Sequence, residues 1–150
     1  METEKTYFYK WLRPDSDDRV MERLNALSWF DKNGIYCSVP IPGKAVPTLQ
    51  EMKDNIEWWE REFAGQKVWW LTVVDPNAKG SKESRDFMKD ILPRYVHGLA
   101  LINHSALGRM AANIFFGLHS PTYPVKMFSD STSAKEWLIA QKSLHHVESR

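Results

Sequence analysis

The sequence predicts an α/β domain with a mixed, mostly parallel sheet, an N-terminal β-hairpin and about four helices. In the second half of the chain, a short apolar run is followed three times by a segment with helical periodicity. The apolar runs cover residues 68–74, 99–103 and 125–128, and the helical patterns begin at Ser81, Ser105 and Ser131. Such alternation is typical of a parallel sheet covered by helices.

The β-hairpin is predicted in the first half, where the apolar segments Val20–Phe30 and Ile35–Val39 flank Asn33-Gly34. Asn-Gly favours a two-residue hairpin turn because both residues tolerate a positive φ. Residues 1–19 mix aromatic and polar side chains, and we expect an N-terminal arm that is extended or forms a short strand.

Four amphipathic segments predict the helices. Thr48 and Glu51 have capping-box spacing at the start of the first, and Gly65 follows its end. Pro93 is expected to break or kink the second helix. Residues 142–150 read as a polar tail. The sequence has no repeats, no low-complexity segments and no interior linker, so we predict one domain over residues 1–150. The predicted apolar faces are Leu49, Met52, Ile56, Trp59 and Phe63; Phe87, Met88, Ile91, Leu92 and Tyr95; Leu107, Met110, Ala111, Ile114, Phe115 and Leu118; and Ala134, Trp137 and Leu138.

The chain contains seven tryptophans, four of them in adjacent pairs. Neighbouring residues of a strand point to opposite faces, so Trp69 and Trp70 fit either a central strand covered on both sides or a dimer surface. Core packing is the favoured role, because large aromatic side chains dominate core burial. Trp137 is likewise predicted to be fully buried.

Composition excludes several classes of protein. A net charge of +1 gives no electrostatic basis for binding nucleic acid or an anionic membrane. The single cysteine, Cys37, excludes an internal disulfide and a cysteine-based zinc site. No apolar run approaches the roughly 18 residues of a membrane span, and the charged amino terminus does not resemble a signal peptide. We therefore expect a cytoplasmic protein with no integral membrane segment.

Motifs that would indicate catalysis are missing from the sequence. It has no glycine-rich phosphate loop, no Gly-x-Ser-x-Gly elbow and no His-Glu-x-x-His pair, and its histidines are scattered. We therefore expect no catalytic residues, no metal site and no cofactor, and an enzyme ranks third among the functions considered.

Polar residues follow two neighbouring strands of the predicted sheet. The carboxyl ends of parallel strands share one edge, where α/β folds place ligands beside helix N-termini. The residues of this candidate binding rim could equally be turn and cap residues. They are Asp75, Ser81, Arg85, Asn103, His104, Ser105 and Arg109.

Several segments resemble small bacterial STAS-like (SpoIIAA-like) domains, which are relatives of the anti-sigma-factor antagonists and, more distantly, of the CRAL-TRIO lipid carriers. They are WLTVVD at 70–75, SKESR at 81–85, ALIN at 100–103, RMAANIFF at 109–116, VKMF at 125–128 and AKEWL at 134–138. The resemblance covers roughly residues 20–141. It implies a small sheet with helices packed mainly on one side, and a non-enzymatic role.

The resemblance also raises the question of a phosphorylated serine. In the antagonists, an Asp-Ser-Ser-Gly-type turn at a helix start carries it. The matching segment here, AKGSKE at 78–83, lacks that motif, and Ser81 is the residue that would take the equivalent position.

Two functions from different classes follow. The first is a regulatory module that recognises another protein through the rim around Ser81 and the third helix. The alternative is a carrier or sensor of an apolar small molecule or lipid, with its cavity between the helices and the aromatic-rich hairpin. An internal cavity of several hundred cubic ångströms would favour the carrier, and an exposed apolar patch would favour the module. The aromatic excess also leads us to expect a two-fold homodimer.

Overall fold

In the part of the chain that the structure describes, six strands form one sheet whose spatial order follows the sequence. The computed structural model describes residues 4–78, 80–110 and 121–148. The first three strands are antiparallel neighbours, and the pairs from the third strand to the sixth are parallel. The mixed, mostly parallel sheet is therefore confirmed. The strands are β1 (Met21–Arg23), β2 (Ala26–Phe30), β3 (Tyr36–Pro40), β4 (Val68–Val73), β5 (Val96–Ile102) and β6 (Val125–Phe128).

The helices begin close to their predicted caps. They are α1 (Leu49–Glu62), α2 (Lys82–Tyr95), α3, described over residues 106–110, and α4 (Ser131–Glu148). The capping box of α1 is confirmed, since the Glu51 amide donates to Thr48 Oγ1 at 3.1 Å and the Thr48 amide donates to Glu51 Oε1 at 3.0 Å. Gly65, with φ +72°, follows the end of α1 as expected.

The prediction of an N-terminal arm that is extended or forms a short strand is wrong. Glu4–Lys10 is a 3-10 helical segment, and the side chains of Phe8 and Leu12 are buried in the core. Burial of these apolar side chains favours a docked segment, whereas an extended arm would leave them in water.

An antiparallel hairpin forms as predicted, but its first strand and its turn differ from the prediction. The expected single strand Val20–Phe30 is two strands, β1 and β2, joined by a turn at Leu24 and Asn25. Between β2 and β3 the turn is Asp31–Gly34, closed by the Gly34 amide donating to the Asp31 carbonyl at 2.9 Å. Asp31 Oδ1 also accepts from the Ile35 amide at 2.9 Å, so its carboxylate selects a longer turn.

Two boundary predictions in the second half are corrected. Pro93 lies in the last turn of α2 without ending it, and β5 begins directly after Tyr95. A proline this close to a helix end removes a single backbone hydrogen bond. The expected polar tail is instead helical as far as Glu148.

Helices cover both faces of the sheet, whereas the resemblance implied mainly one. On one face, Leu138 of α4 and Phe8 join the larger core cluster. On the other face, Trp58 and Trp59 of α1 form a second cluster, against which apolar side chains of α2 pack. Each cluster needs its own helical layer to exclude water.

Adjacent aromatic side chains on the central strand connect the two layers. Trp69 belongs to the larger cluster and Trp70 packs against the second, which confirms a strand covered on both sides. Trp137, predicted to be fully buried, is only half-buried. Leu107 and Met110, expected in the core, are 78% and 58% exposed. The rest of that predicted stripe, Ala111, Ile114, Phe115 and Leu118, lies outside the described residues.

Packing of Trp69 over β5 requires a glycine at position 98. A Cβ atom on Gly98 would lie 2.7 Å from Trp69 Cζ3. We expect Gly98→Ala to lower the free energy of unfolding by about 1–3 kcal/mol, because a close-packed core resists an added carbon. Urea denaturation measures the change. In a Trp69→Leu background the same substitution should cost much less, and an equal cost in both backgrounds would contradict this assignment.

A pair of histidines lies beside the same tryptophan. The rings of His97 and His145 lie 4.5 Å apart, and Trp69 stacks on His97 at 5.2 Å. Burial lowers the pKa of His97, and the neighbouring His145 and Lys67 lower it further. The unfolded chain therefore takes up the proton more readily than the folded chain does, so stability falls as the pH falls through about 6.5 and levels off below the folded pKa.

We accordingly expect a lower free energy of unfolding at about pH 5.5 than at about pH 7.5. His97→Gln and His145→Gln should each reduce that difference, because either change removes the mutual repulsion of the pair. Urea titrations at both pH values provide the measurement. A difference that both variants leave unchanged would show that other groups cause it.

Candidate functional site

The predicted rim residues lie at the same edge of the sheet. Val73 of β4 pairs with Ile102 of β5 at the carboxyl ends of the two strands. Asp75 and Asn103 follow these strand ends within two residues. The rim has two halves, one formed by the residues after β4 and the other by the residues after β5. Because the two strands are parallel, their carboxyl ends are neighbours, and the two halves lie at the same edge.

The first half of the rim is organised around the start of α2. Ser81 is the N-cap residue, and its Oγ accepts from the Ser84 amide at 3.1 Å. The Asp75 carboxylate accepts from the Asn77 amide at 2.9 Å, and Arg85 donates to the Gly80 carbonyl at 2.6 Å. These bonds hold the loop after β4 and the first turn of α2.

The second half is organised in the same way around the start of α3. Asn103 Oδ1 accepts from the Ser105 amide at 3.0 Å, and Ser105 Oγ accepts from the Gly108 amide at 3.2 Å. Arg109 donates to the Asn103 carbonyl at 2.7 Å. The ring of His104 stacks on Trp11 at 4.9 Å with an angle of 14° between the planes.

Every rim side chain thus has a local partner in a turn, a cap or a ring stack. These contacts are those expected of turn and cap residues. They do not test whether the rim binds a partner, so a binding role for these seven residues stays a prediction. The described side-chain contacts join residues within each half of the rim and do not join one half to the other.

A more distinctive feature is a cavity of about 320 Å³ between α1 and the sheet. The β1–β2 turn bounds one side, and the loops that follow β3 and β4 reach it through Val46, Pro47 and Ala78. The cavity therefore lies at the carboxyl edge of parallel strands, where α/β folds commonly bind ligands. Its aromatic and aliphatic walls include Tyr36, Met52, Trp58, Trp59, Trp70 and Met88.

Hydrogen bonds inside the protein occupy the polar groups at one wall of this cavity. Trp70 Nε1 donates to Ser38 Oγ at 2.9 Å, Ser38 Oγ donates to Thr72 Oγ1 at 2.8 Å, and Thr72 Oγ1 donates to the Ser38 carbonyl at 3.0 Å. Burial raises the pKa of Tyr36 to about 12, so the phenol is neutral at physiological pH.

The β1–β2 turn contributes a strained residue to the cavity wall. Leu24 has a φ of 53°, in the left-handed region that glycine and asparagine usually occupy. For a leucine this conformation costs about 1–2 kcal/mol. Leu24 and the adjacent Arg23 both line the cavity. Backbone strain of this kind is frequent at binding sites.

Sequence reasoning did not place any of the cavity residues in the candidate site. The lining side chains come from β1 to β4, α1 and α2, and no local pattern connects these segments. One signal was present: helix α1 carries the adjacent Trp58 and Trp59, and such a helix presents a wide aromatic face.

Other chemistry has little support in the described residues. Cys37 is fully buried, and burial raises the pKa of its thiol to about 12, so it is not a thiolate nucleophile. Across residues 4–78, 80–110 and 121–148, no group of three or more histidine, cysteine or acidic side chains is placed to hold a metal ion. No helix of the described chain is long and apolar enough to cross a membrane.

Comparison with known proteins agrees with this fold. Residues 29–142 match a family described as a domain of unknown function, DUF7793. The chain belongs to the DUF7793 family. This DUF7793 domain is also similar to an uncharacterized protein of the DUF3478 family, with a SpoIIAA-like fold, from Shewanella loihica PV-4. The TM-score is 0.51 at 14% identity, over 81% of this chain and 91% of the other. No curated protein matches the sequence.

The similarity confirms the STAS-like, SpoIIAA-like fold that the sequence predicted. At 14% identity it carries the fold alone. The function of the DUF7793 domain must therefore be argued from its own residues.

The role of Ser81 as the N-cap of α2 can be tested by substitution. Ser81→Ala removes the bond to the Ser84 amide and should lower the free energy of unfolding by about 1 kcal/mol, the usual value for an N-cap. Ser81→Asp should restore stability, because aspartate caps a helix as well as serine does. Urea denaturation measures both variants, and Ser129→Ala, outside α2, is the control. Equal stability of wild type and Ser81→Ala would show that this cap contributes nothing.

Proposed function

We propose that this DUF7793 domain is a non-enzymatic carrier or sensor that binds a small apolar molecule in the cavity under α1. The observation that carries the proposal is the cavity itself, about 320 Å³ in volume and walled by three tryptophans. Ligand sites are typically concave, mostly apolar and about 300–1,000 Å³ in volume. The internal pairing of Ser38 and Thr72 supports an apolar ligand, because these hydroxyl protons are already used.

The volume limits the size of the molecule. An apolar cavity of about 150 Å³ holds one benzene ring, so about 320 Å³ suits about two fused rings. A short aliphatic chain of the same volume would also fit. A complete two-chain membrane lipid is far larger, which narrows the lipid-carrier alternative to small apolar molecules.

Calorimetric titration with a neutral two-ring probe, 1-naphthaleneethanol, tests the proposal. We expect saturable binding of one molecule per chain and an increase in Tm as the probe is added. Ala78→Phe, which places a ring at a cavity-lining position, should abolish binding. Ala45→Phe is the matched control, because Ala45 is also an exposed loop alanine but does not line the cavity.

Two results would contradict this function. One is the absence of saturable binding by the folded wild-type chain. The other is equal binding by wild type and Ala78→Phe, which would place the probe elsewhere on the surface.

A second candidate is the regulatory protein-interaction module, for which the rim would be the recognition surface. Leu107 and Met110, at the start of α3, support it because both apolar side chains are largely exposed. The expected homodimer is one form of such an interaction. Light scattering at high concentration tests it: a dimeric mass that becomes monomeric in Leu107→Ser supports this surface, and a monomeric wild type rules out the homodimer.

A further inference from the structure

We infer that the molecule bound in the cavity is an acid, with its apolar body under α1 and its anionic group on Arg23 at the mouth. This inference rests on the proposed ligand-binding function and names the chemical class of the ligand. It follows from the position and contacts of Arg23 and from the fact that no described carboxylate forms a salt bridge with it.

Arg23, the last residue of β1, is both exposed and part of the cavity lining, so it lies at the opening. Its Nε and Nη2 atoms both donate to Asn55 Oδ1 at 3.2 Å, and its guanidinium carbon lies 5.3 Å from the centre of the Trp58 ring. Arg23, Asn55 and Trp58 all line the cavity. The guanidinium is therefore held over the mouth by a hydrogen bond on one side and an aromatic face on the other.

The charge of Arg23 is not neutralised by the described residues. The neighbouring carboxylate, Glu22, points to the opposite face of the strand, where it pairs with Lys5 and with Lys44, the latter at 3.0 Å. No described carboxylate forms a salt bridge with Arg23, whose hydrogen-bond partner is a neutral amide. A guanidinium has five N–H donors in a planar array that matches a carboxylate. The two bonds to Asn55 leave donors available for an incoming acid.

The wall of the cavity at Ser38 disfavours the opposite orientation. There the Trp70 indole proton and the hydroxyl protons of Ser38 and Thr72 are all donated within the protein. An anion placed there would lose its hydration without gaining donors, at a high cost in free energy. We therefore place the acid group at the mouth, beside Arg23, and the apolar body in the interior.

A matched pair of probes tests the inference: 1-naphthylacetic acid and its neutral counterpart 1-naphthaleneethanol. At low ionic strength the wild-type chain should bind the acid about fivefold more tightly than the alcohol, a modest value because Arg23 is partly in water. Arg23→Gln should remove the preference, so that the acid and the alcohol bind with equal affinity. Arg23→Lys should retain part of it, because lysine keeps the charge without the planar donors.

The control is Arg19→Gln, which removes an exposed arginine whose partner, Glu62, lies 3.9 Å away, outside the cavity. It should leave the acid preference intact. Equal binding of acid and alcohol by wild type, or an acid preference that persists in Arg23→Gln, would overturn the inference while leaving the apolar cavity as a binding site. Failure of both probes to bind would overturn the proposed function and this inference with it.

Discussion

The fold depends on covering both faces of β4 with aromatic side chains. Trp69 and Trp70 are adjacent, so they point to opposite faces of the sheet and each requires its own helical layer. The Trp69 ring lies close over β5 because position 98 is a glycine. Two consecutive residues and one glycine thereby set how α4 on one face, and α1 with α2 on the other, approach the sheet.

The same aromatic packing accounts for the cavity. Trp59 meets Trp70 edge to face, at an angle of 80°, and both rings line the space under α1. The strained Leu24 and the contact of Arg23 with Asn55 define its open side. Ala78, at the cavity, is only three residues before Ser81, the cap of α2 and part of the predicted rim. Ligand binding and partner recognition, the two candidate functions, would therefore share the loop between β4 and α2.

The candidate site was predictable only in part. Parallel pairing places Asp75 and Asn103 at one edge, and the serine caps at 81 and 105 were recognisable from their positions before helical patterns. The carrier hypothesis expected a cavity between the helices and the hairpin but named none of its residues, because the walls come from segments far apart in the sequence. Arg23 illustrates the reason: its significance lies in the aromatic ring of Trp58 and in the absence of a described acidic partner, and neither is a local property.

Local sequence was sufficient for predicting the α/β class, the N-caps of α1 and α2 and the opposite orientation of Trp69 and Trp70. These features depend on local periodicity and on side chains within four residues. Other features depend on contacts between distant parts of the chain. Asp31 closes a turn that is longer than the one Asn33-Gly34 indicated. Its Oδ2 atom lies 3.3 Å from Nζ of Lys135 in α4, which is far away in the sequence. The N-terminal segment is helical because the sheet buries Phe8 and Leu12. Where apolar burial competes with local preference, the larger area removed from water prevails.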